Sequence, residues 1–173
     1  MCYQTTYDSL LGKMVLTSDG DNLTGAWFDS GRIPAGHLSF RQYKEKRLPL
    51  FDAAESWFES YFKGETPNFT PPLQLSGTPF QMAVWEILTH IPYGKTVTYK
   101  EVAEKMAQGR EVSGMSARAV GNAIGHNPIL IIVPCHRVIG CDGKLTGYAG
   151  GIEKKRALLA IEQRTIGHHT LVF

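Results

Sequence analysis

The chain has 173 residues, of which 43% are hydrophobic and 20% charged, as in one or two ordinary globular domains. It contains no run of 18 apolar residues, and its first residues have neither the basic nor the apolar segment of a secretion signal, so neither a membrane span nor export is expected. Three widely spaced cysteines are then expected to be reduced thiols in a cytoplasmic protein. Residues 1–76 carry 7 Lys or Arg against 9 Asp or Glu, whereas residues 77–173 carry 11 against 7, which is compatible with a nucleic-acid partner for the second part.

Residues 1–76 predict a small α/β domain. The runs KMVLTS and LTGAWF, separated by the turn sequence DGDN, predict a β-hairpin, and residues 33–49 are irregular and basic. LFDAAESWFESYFKG predicts a helix that stops at Gly64, and its aromatic stripe is typical of a core-facing helix rather than of a ligand site. The stripe consists of Leu50, Phe51, Ala54, Trp57, Phe58, Tyr61 and Phe62. The proline-rich GETPNFTPPLQLSGTP predicts a linker that ends this domain.

Residues 77–173 predict a mostly helical domain. TPFQMAVWEILTHI and TYKEVAEKMA both begin with a capping box, and SARAVGNAIGHNP predicts a further helix that must end at its NP dipeptide. The capping residues are Thr78 with Gln81, Thr98 with Glu101, and Ser116. Two short helices joined by the polar turn QGREVSG predict a helix-turn-helix with a longer turn than usual.

The second helix of that motif is rich in small residues, namely Ala117, Ala119, Gly121, Ala123 and Gly125. Glycine inside a helix costs about 0.5–1 kcal/mol relative to alanine, so something should compensate for it. Close packing against another helix would do so, and so would entry into a duplex groove. Arg118 is then a candidate either for a phosphate contact or for insertion into the base stack, while His126 is expected to be solvated or part of the core.

A cysteine follows the most apolar segment of the chain. Ile129–Val133 predicts a buried strand, and Pro134 ends it directly before Cys135, His136 and Arg137. A buried cysteine is usually inert because desolvation raises its pKa, but adjacent cationic side chains favour the thiolate. Three alternatives stay open at this point. The cysteine is a small core residue, a metal ligand together with His136 and Cys141, or a hydrolytic nucleophile.

The segment after the cysteine supplies one aromatic and one carboxylate. Tyr148 lies within a glycine-rich turn, and Ile152–Glu162 predicts a helix whose apolar residues face the core. Glu162 lies at the end of that apolar stripe. It is either a surface charge or, if this helix packs beside Cys135, the group that orients His136.

Several separated motifs together resemble the O6-alkylguanine-DNA alkyltransferase family. They are GTPFQMAVWEIL, IPYGKTVTY, RAVGNA followed by NP, PCHRVIG, GYAGG and LLAIE, between Gly77 and Glu162. The resemblance implies an α+β fold, with a small N-terminal α/β domain (1–76) and a mostly helical, winged-helix-like domain (77–173) that carries the helix-turn-helix. It also implies DNA repair by direct reversal. In a single turnover, the alkyl group of O6-alkylguanine in duplex DNA moves to the cysteine after nucleotide flipping, with O4-alkylthymine as an open further substrate.

The resemblance assigns a role to each matching residue. Cys135 accepts the alkyl group, His136 acts through a water as its base, Glu162 holds His136, and Arg118 fills the gap left by the flipped nucleotide. DNA contacts fall on Tyr99, Ala117, Gly121 and Asn122, and pocket positions fall on Asn127, Val138, Tyr148 and Ala149. Some members carry serine where this chain has Ala149, and the long 107–116 turn leaves the angle between the two helices open.

Partners and rival functions follow from the same motifs. Duplex DNA with alkylated guanine is the expected partner of a monomer, and no cofactor is expected. A zinc site like that of some animal members is not expected either, since only Cys2 and His37 are candidate ligands in the first part. The alternatives are a module that recognises alkylated bases without reacting, a helix-turn-helix regulator, and a thiol hydrolase with multiple turnovers.

Overall fold

The computed structural model describes residues 1–31, 42–110 and 113–166, and within the last helix the side chains up to residue 164. These residues form two compact units. Unit 1 contains Met1–Ser76 together with Pro128–Leu130, and unit 2 contains Gly77–Asn127 and the chain from Ile131 onward. The three residues Pro128–Leu130 lie inside the predicted second domain but group with unit 1. Of the segment 33–49, which was predicted to be irregular, residues 33–41 lie outside the described residues. The rest of that prediction is wrong in part, because residues 43–45 form a strand by pairing with the first strand and a helix begins at Pro49.

Unit 1 is built on a four-stranded sheet in the order β3-β2-β1-β4. The strands are β1 (Cys2–Ser9), β2 (Gly12–Ser18), β3 (Leu23–Phe28) and β4 (Tyr43–Glu45). The predicted hairpin is confirmed as the antiparallel pair β2–β3. Strand β1, which pairs with β2 from Tyr3 to Ser9, was not predicted, because its polar sequence CYQTTYDS lacks a buried alternating face.

One helix, α1 (Pro49–Phe62), covers this sheet. Five residues of the predicted aromatic stripe are buried, and Leu50 and Phe62 at its edges are half-buried. The Tyr7 ring of β1 stacks on Phe58 with ring centroids 5.7 Å apart, so the stripe is core, as predicted. Gly64 stands just past the end of α1 with φ 84°, a left-handed conformation that glycine adopts without steric cost.

The predicted strand Ile129–Val133 does not form. Only its first residues pair with β3, where the Ala26 amide donates to the Pro128 carbonyl at 3.0 Å and the Leu130 amide donates to the Ala26 carbonyl at 2.8 Å. The chain then turns at Ile131, whose φ of 73° is rare for a β-branched residue. All five residues are buried, as expected. The apolar run therefore signalled burial correctly, but burial does not require a strand.

Unit 2 is mostly helical, with α2 (Pro79–Thr89), α3 (Tyr99–Arg110), α4 (Ala117–Gly125) and α5 (Ile152–Ile166). Strands β5 (Val97–Thr98) and β6 (Val138–Ile139) form a short parallel pair. Both predicted capping boxes are present. Helix α3 continues through Gln108–Arg110, where a turn was predicted, and α5 continues beyond Glu162. The fold class is α+β, as predicted. Within the described residues no helix is both long and apolar enough to cross a membrane.

Candidate active site

Helix α4 is anchored by one face. Its N-terminus is capped by the Ser116 hydroxyl, which accepts a hydrogen bond from the Ala119 amide, and its buried residues are Val120, Ala123 and Ile124. The Trp85 indole of α2 donates to the Ala123 carbonyl at 2.8 Å. This contact ties α4 to α2 and fixes which side of α4 is turned outward.

The outward side of α4 is slim and exposed. Ala117, Arg118 and Asn122 are exposed. Arg118 and Asn122 line an open depression together with Ser116 and Ala119. A Cβ added to Gly121 would meet the Tyr99 ring only at 3.8 Å, and one added to Gly125 would meet no described atom within 4 Å. Packing between helices therefore does not require these glycines. A surface that leaves room for a close approach from outside accounts for them better.

Cys135 lies in a short 3₁₀ turn, Cys135–Arg137, that directly follows Pro134. Its side chain is buried, and burial raises the pKa of the thiol to about 11, although a hydrogen bond from Asn127 and the positive charge of Lys155 counteract this. The Asn127 amide also donates to the Val133 carbonyl at 2.8 Å. Asn127 thus braces the turn that carries the cysteine, and the thiol needs a base before it can react at neutral pH.

His136 and Glu162 form a buried pair. Nε2 of His136 lies 2.6 Å from Oε1 of Glu162, and neither residue is exposed. Burial alone would raise the pKa of Glu162, but the hydrogen bonds and positive charges of His136 and Arg137 hold it down at about 2. The carboxylate is therefore ionised and Nε2 carries the proton that it accepts. Nδ1, which is also buried, is then the basic nitrogen of the neutral ring.

The remaining predicted pocket residues lie on β6 and in the loop before α5, and the predicted DNA contact Tyr99 lies at the start of α3. The ring of Tyr148 meets that of His136 edge to face at 6.5 Å, and the Tyr148 hydroxyl is buried without a hydrogen-bond partner among the described residues. Val138 is buried in β6, and Ala149 is exposed. Tyr99 is half-buried and donates from its hydroxyl to the Thr146 carbonyl at 2.8 Å.

Two buried cations, Arg137 and Lys155, make contacts that the sequence did not predict. Arg137 donates through Nε and Nη2 to Glu162 and through Nη1 to the Ile91 carbonyl. Lys155 is fully buried, and its ammonium donates to the backbone carbonyls of Val138, Thr146 and Gly147. Burial lowers the pKa of Lys155 to about 8, while Cys135 acts in the opposite direction. A signal was available for Lys155, because Ile152, Lys155, Leu159 and Glu162 share one helical face.

Comparison with known protein families finds a matching family model for each of the two parts of the chain. Residues 79–164 match the family model described as the DNA-binding domain of 6-O-methylguanine DNA methyltransferase. Residues 2–75 match the model described as its ribonuclease-like domain. The chain belongs to the 6-O-methylguanine DNA methyltransferase family.

Individual members of the family are similar along nearly the whole chain. A methylated-DNA–protein-cysteine methyltransferase of Haemophilus influenzae is 41% identical over 162 residues, which are 93% of this chain and 86% of that protein. The crystal structure of the Mycobacterium tuberculosis O6-methylguanine methyltransferase is 42% identical, with a TM-score of 0.82 over 99% of this chain and 98% of that one. The M. tuberculosis protein in complex with DNA is 43% identical, with a TM-score of 0.79 over 94% of each chain.

The family assignment leaves the residue roles as predictions. In this methyltransferase, Cys135, His136 and Glu162 lie in the same buried part of unit 2, and Arg118 and Asn122 border the depression on α4. The described residues hold no group of three or more His, Cys, Asp or Glu side chains arranged for a metal ion. His37 lies outside the described residues.

Proposed function

We propose that this protein repairs DNA by moving the alkyl group of O6-alkylguanine in duplex DNA to the sulfur of Cys135. The activity is that of a methylated-DNA–protein-cysteine methyltransferase. The observation that carries the assignment to these residues is the buried pair that His136, in the turn that holds Cys135, forms with Glu162 on α5. The pair orients a neutral imidazole on the residue that follows Cys135, whose buried thiol otherwise stays protonated.

The chemistry divides between the thiol and the imidazole. His136 takes the thiol proton through a water, as in the family, and the thiolate attacks the alkyl carbon in line with the C–O bond. The S–C bond forms as the C–O bond breaks, and guanine leaves with a proton in place of its alkyl group. Glu162 stabilises the imidazolium that forms between these two proton transfers. The product is unmodified guanine and S-alkylated Cys135.

The target carbon lies inside a base stack, so the nucleotide must leave the duplex before it reacts. Extrusion costs a few kcal/mol, and a side chain that occupies the vacated space offsets part of that cost. Arg118 is the residue for this role, because it is long, cationic and exposed on the slim face of α4. Ala117, Gly121 and Asn122 let that face approach the minor groove.

We assign the extruded base to the positions of Tyr148, Val138 and Ala149, with Tyr99 as a contact to the target nucleotide. A buried hydroxyl without a partner is costly, so a polar atom of the bound guanine beside the Tyr148 hydroxyl would remove that cost. A thioether does not hydrolyse at neutral pH, so each molecule acts once. We place this single-turnover monomer in the cytoplasm, where Cys135 stays reduced.

The test uses a duplex that contains one O6-methylguanine with an isotopically labelled methyl group. Intact protein, Cys135→Ala and the matched control Cys141→Ala, which removes an exposed cysteine, are each mixed with it. We expect one label per protein on the peptide that contains Cys135, in the intact protein and in the control only. Peptide mass spectrometry measures this.

Other outcomes distinguish the rival functions. Tight binding to the lesion without transfer would make the protein a damage-recognition module. More than one methyl released per protein would indicate a thiol hydrolase. Preference for one undamaged sequence would indicate a helix-turn-helix regulator. Each of these results would overturn the proposal.

A further inference from the structure

Arg137 contacts both carboxylate oxygens of Glu162. Its Nε lies 3.0 Å from Oε2 of Glu162 and its Nη2 lies 3.0 Å from Oε1, which is the oxygen that His136 also contacts. The Gly94 amide donates to Oε2 at 2.9 Å. The carboxylate therefore has donors on both oxygens and cannot rotate away from His136 without breaking the bidentate pair.

The other contacts of Arg137 hold the guanidinium itself. Nη1 donates to the Ile91 carbonyl at 2.7 Å, and the group lies over the Tyr93 ring, 5.5 Å from its centroid. Arg137 is 8% exposed, so its charge acts in a largely water-free environment. A buried cation at this distance from a carboxylate shifts the pKa of every other titratable group that is hydrogen-bonded to the same carboxylate.

His136 is the other titratable group that is hydrogen-bonded to the Glu162 carboxylate. Burial lowers the pKa of His136, the hydrogen bond and charge of Glu162 raise it, and the charges of Arg137 and Lys155 lower it again. The groups that face His136 are Glu162 and Lys155 on α5, Arg137 in its own turn, and Tyr148 in the loop before α5. Without Arg137, the whole negative charge of Glu162 would favour the imidazolium, which cannot accept a proton from the thiol.

We propose that Arg137 is a positioning residue for alkyl transfer, which fixes the Glu162 carboxylate and neutralises part of its charge so that His136 remains a base. Two separable effects follow. The bidentate geometry sets how well His136 is oriented, and therefore the maximal transfer rate. The positive charge sets the pH below which His136 becomes protonated. This inference rests on the proposed function only for its effect on rate, since the protonation of His136 is measurable without any substrate.

The experiment compares the intact protein with Arg137→Met, Arg137→Gln and Arg137→Lys. The matched control is Arg156→Met on α5, which removes an exposed arginine that pairs with Glu153 at the surface. Imidazole NMR follows the protonation of His136 against pH. Rapid-quench assays with an O6-methylguanine duplex give the single-turnover rate over the same pH range, and thermal unfolding shows which variants are folded.

In Met and Gln variants we expect the protonation midpoint of His136 to rise by about one pH unit, with a roughly tenfold loss of rate at a pH below both midpoints. The Lys variant keeps the charge but not the bidentate contact, so its midpoint should stay near that of the intact protein while its maximal rate falls. The Arg156 control should match the intact protein in both measurements.

Three results would overturn the inference. The first is a folded Met or Gln variant with an unchanged His136 midpoint, and the second is a Lys variant with an unchanged maximal rate. The second result decides the matter even if the neutral variants fail to fold. The third is loss of folding stability in the variants with neither kinetic effect, which would make Arg137 purely structural. Failure of the proposed function is distinct, because the intact protein would then transfer no methyl group.

Discussion

Replacing Glu162 by glutamine keeps the size of the side chain but changes what it offers to its neighbours. The carboxylate accepts hydrogen bonds from His136, Arg137 and Gly94. A glutamine has one oxygen and an NH₂ group, so wherever it points, at least one of these donors faces another donor. The Arg137 charge is then buried without an opposing charge from this position.

Both consequences have magnitudes that follow from this geometry. Removing one partner of a buried ion pair costs about 3–5 kcal/mol, and the two groups here are 8% and 0% exposed. Loss of an oriented general base lowers a rate by about 10²–10⁴-fold. We therefore expect Glu162→Gln to lower the free energy of unfolding by several kcal/mol and to slow methyl transfer at least a hundredfold.

The assay combines urea unfolding with single-turnover transfer from an O6-methylguanine duplex, under conditions where the variant is folded. Glu153→Gln is the control on the same helix, because Glu153 is an exposed surface residue whose side chain is 86% accessible. Its unfolding free energy should stay within about 0.5 kcal/mol of the intact protein. A folded Glu162→Gln that transfers methyl groups within threefold of the normal rate would refute the role assigned to the pair.

Three further predictions concern DNA, pH and the product. Arg118→Ala should slow transfer from duplex DNA by tenfold or more, since extrusion costs a few kcal/mol, but leave transfer from the free base O6-methylguanine unchanged. Equal losses of rate on both substrates would contradict this prediction. The pKa values of His136 and Glu162 are both lower in the folded protein, so as the pH falls the unfolded chain takes up protons before the folded one does. The free energy of unfolding, measured in urea, should therefore fall below pH 6.5 and again below pH 4.5. An unfolding free energy that does not change with pH would contradict this prediction. Cys135 is 3% exposed, so a methyl group on its sulfur overpacks the site and should lower the free energy of unfolding by about 1–3 kcal/mol. Calorimetry should therefore show a lower Tm after the reaction, and an unchanged Tm would mean that the site accommodates the methyl group.

Local patterns predicted the elements whose signals lie within a few residues. The two capping boxes at Thr78 and Thr98, the Ser116 cap and the hairpin β2–β3 all formed as predicted. Each depends on side chains that contact backbone three residues away or on a short turn. Strand β1 and the course of Ile129–Val133 escaped prediction, because the first is made by pairing with β2 and the second by Asn127 and β3.

For the candidate site, too, some features were predictable from the sequence and others depended on tertiary packing. The adjacency of Cys135, His136 and Arg137, the small residues of α4 and the position of Glu162 on an apolar stripe are properties of the sequence. Whether Glu162 was a surface charge or a partner of His136 was left open by the sequence. That choice depended on which element α5 packs against, and α5 packs against the Cys135–Arg137 turn.

By itself, the sequence determined the family to which the chain belongs and the helix starts set by caps, and it singled out Cys135 as the predicted alkyl acceptor. Only the tertiary structure decided that one carboxylate would serve both His136 and Arg137, and that Lys155 would be buried against three carbonyls. The physical reason is distance along the chain. Glu162 is 26 residues from His136 along the chain. Local sequence preferences do not show which buried charged side chains will contact each other once an apolar helix face packs against the core.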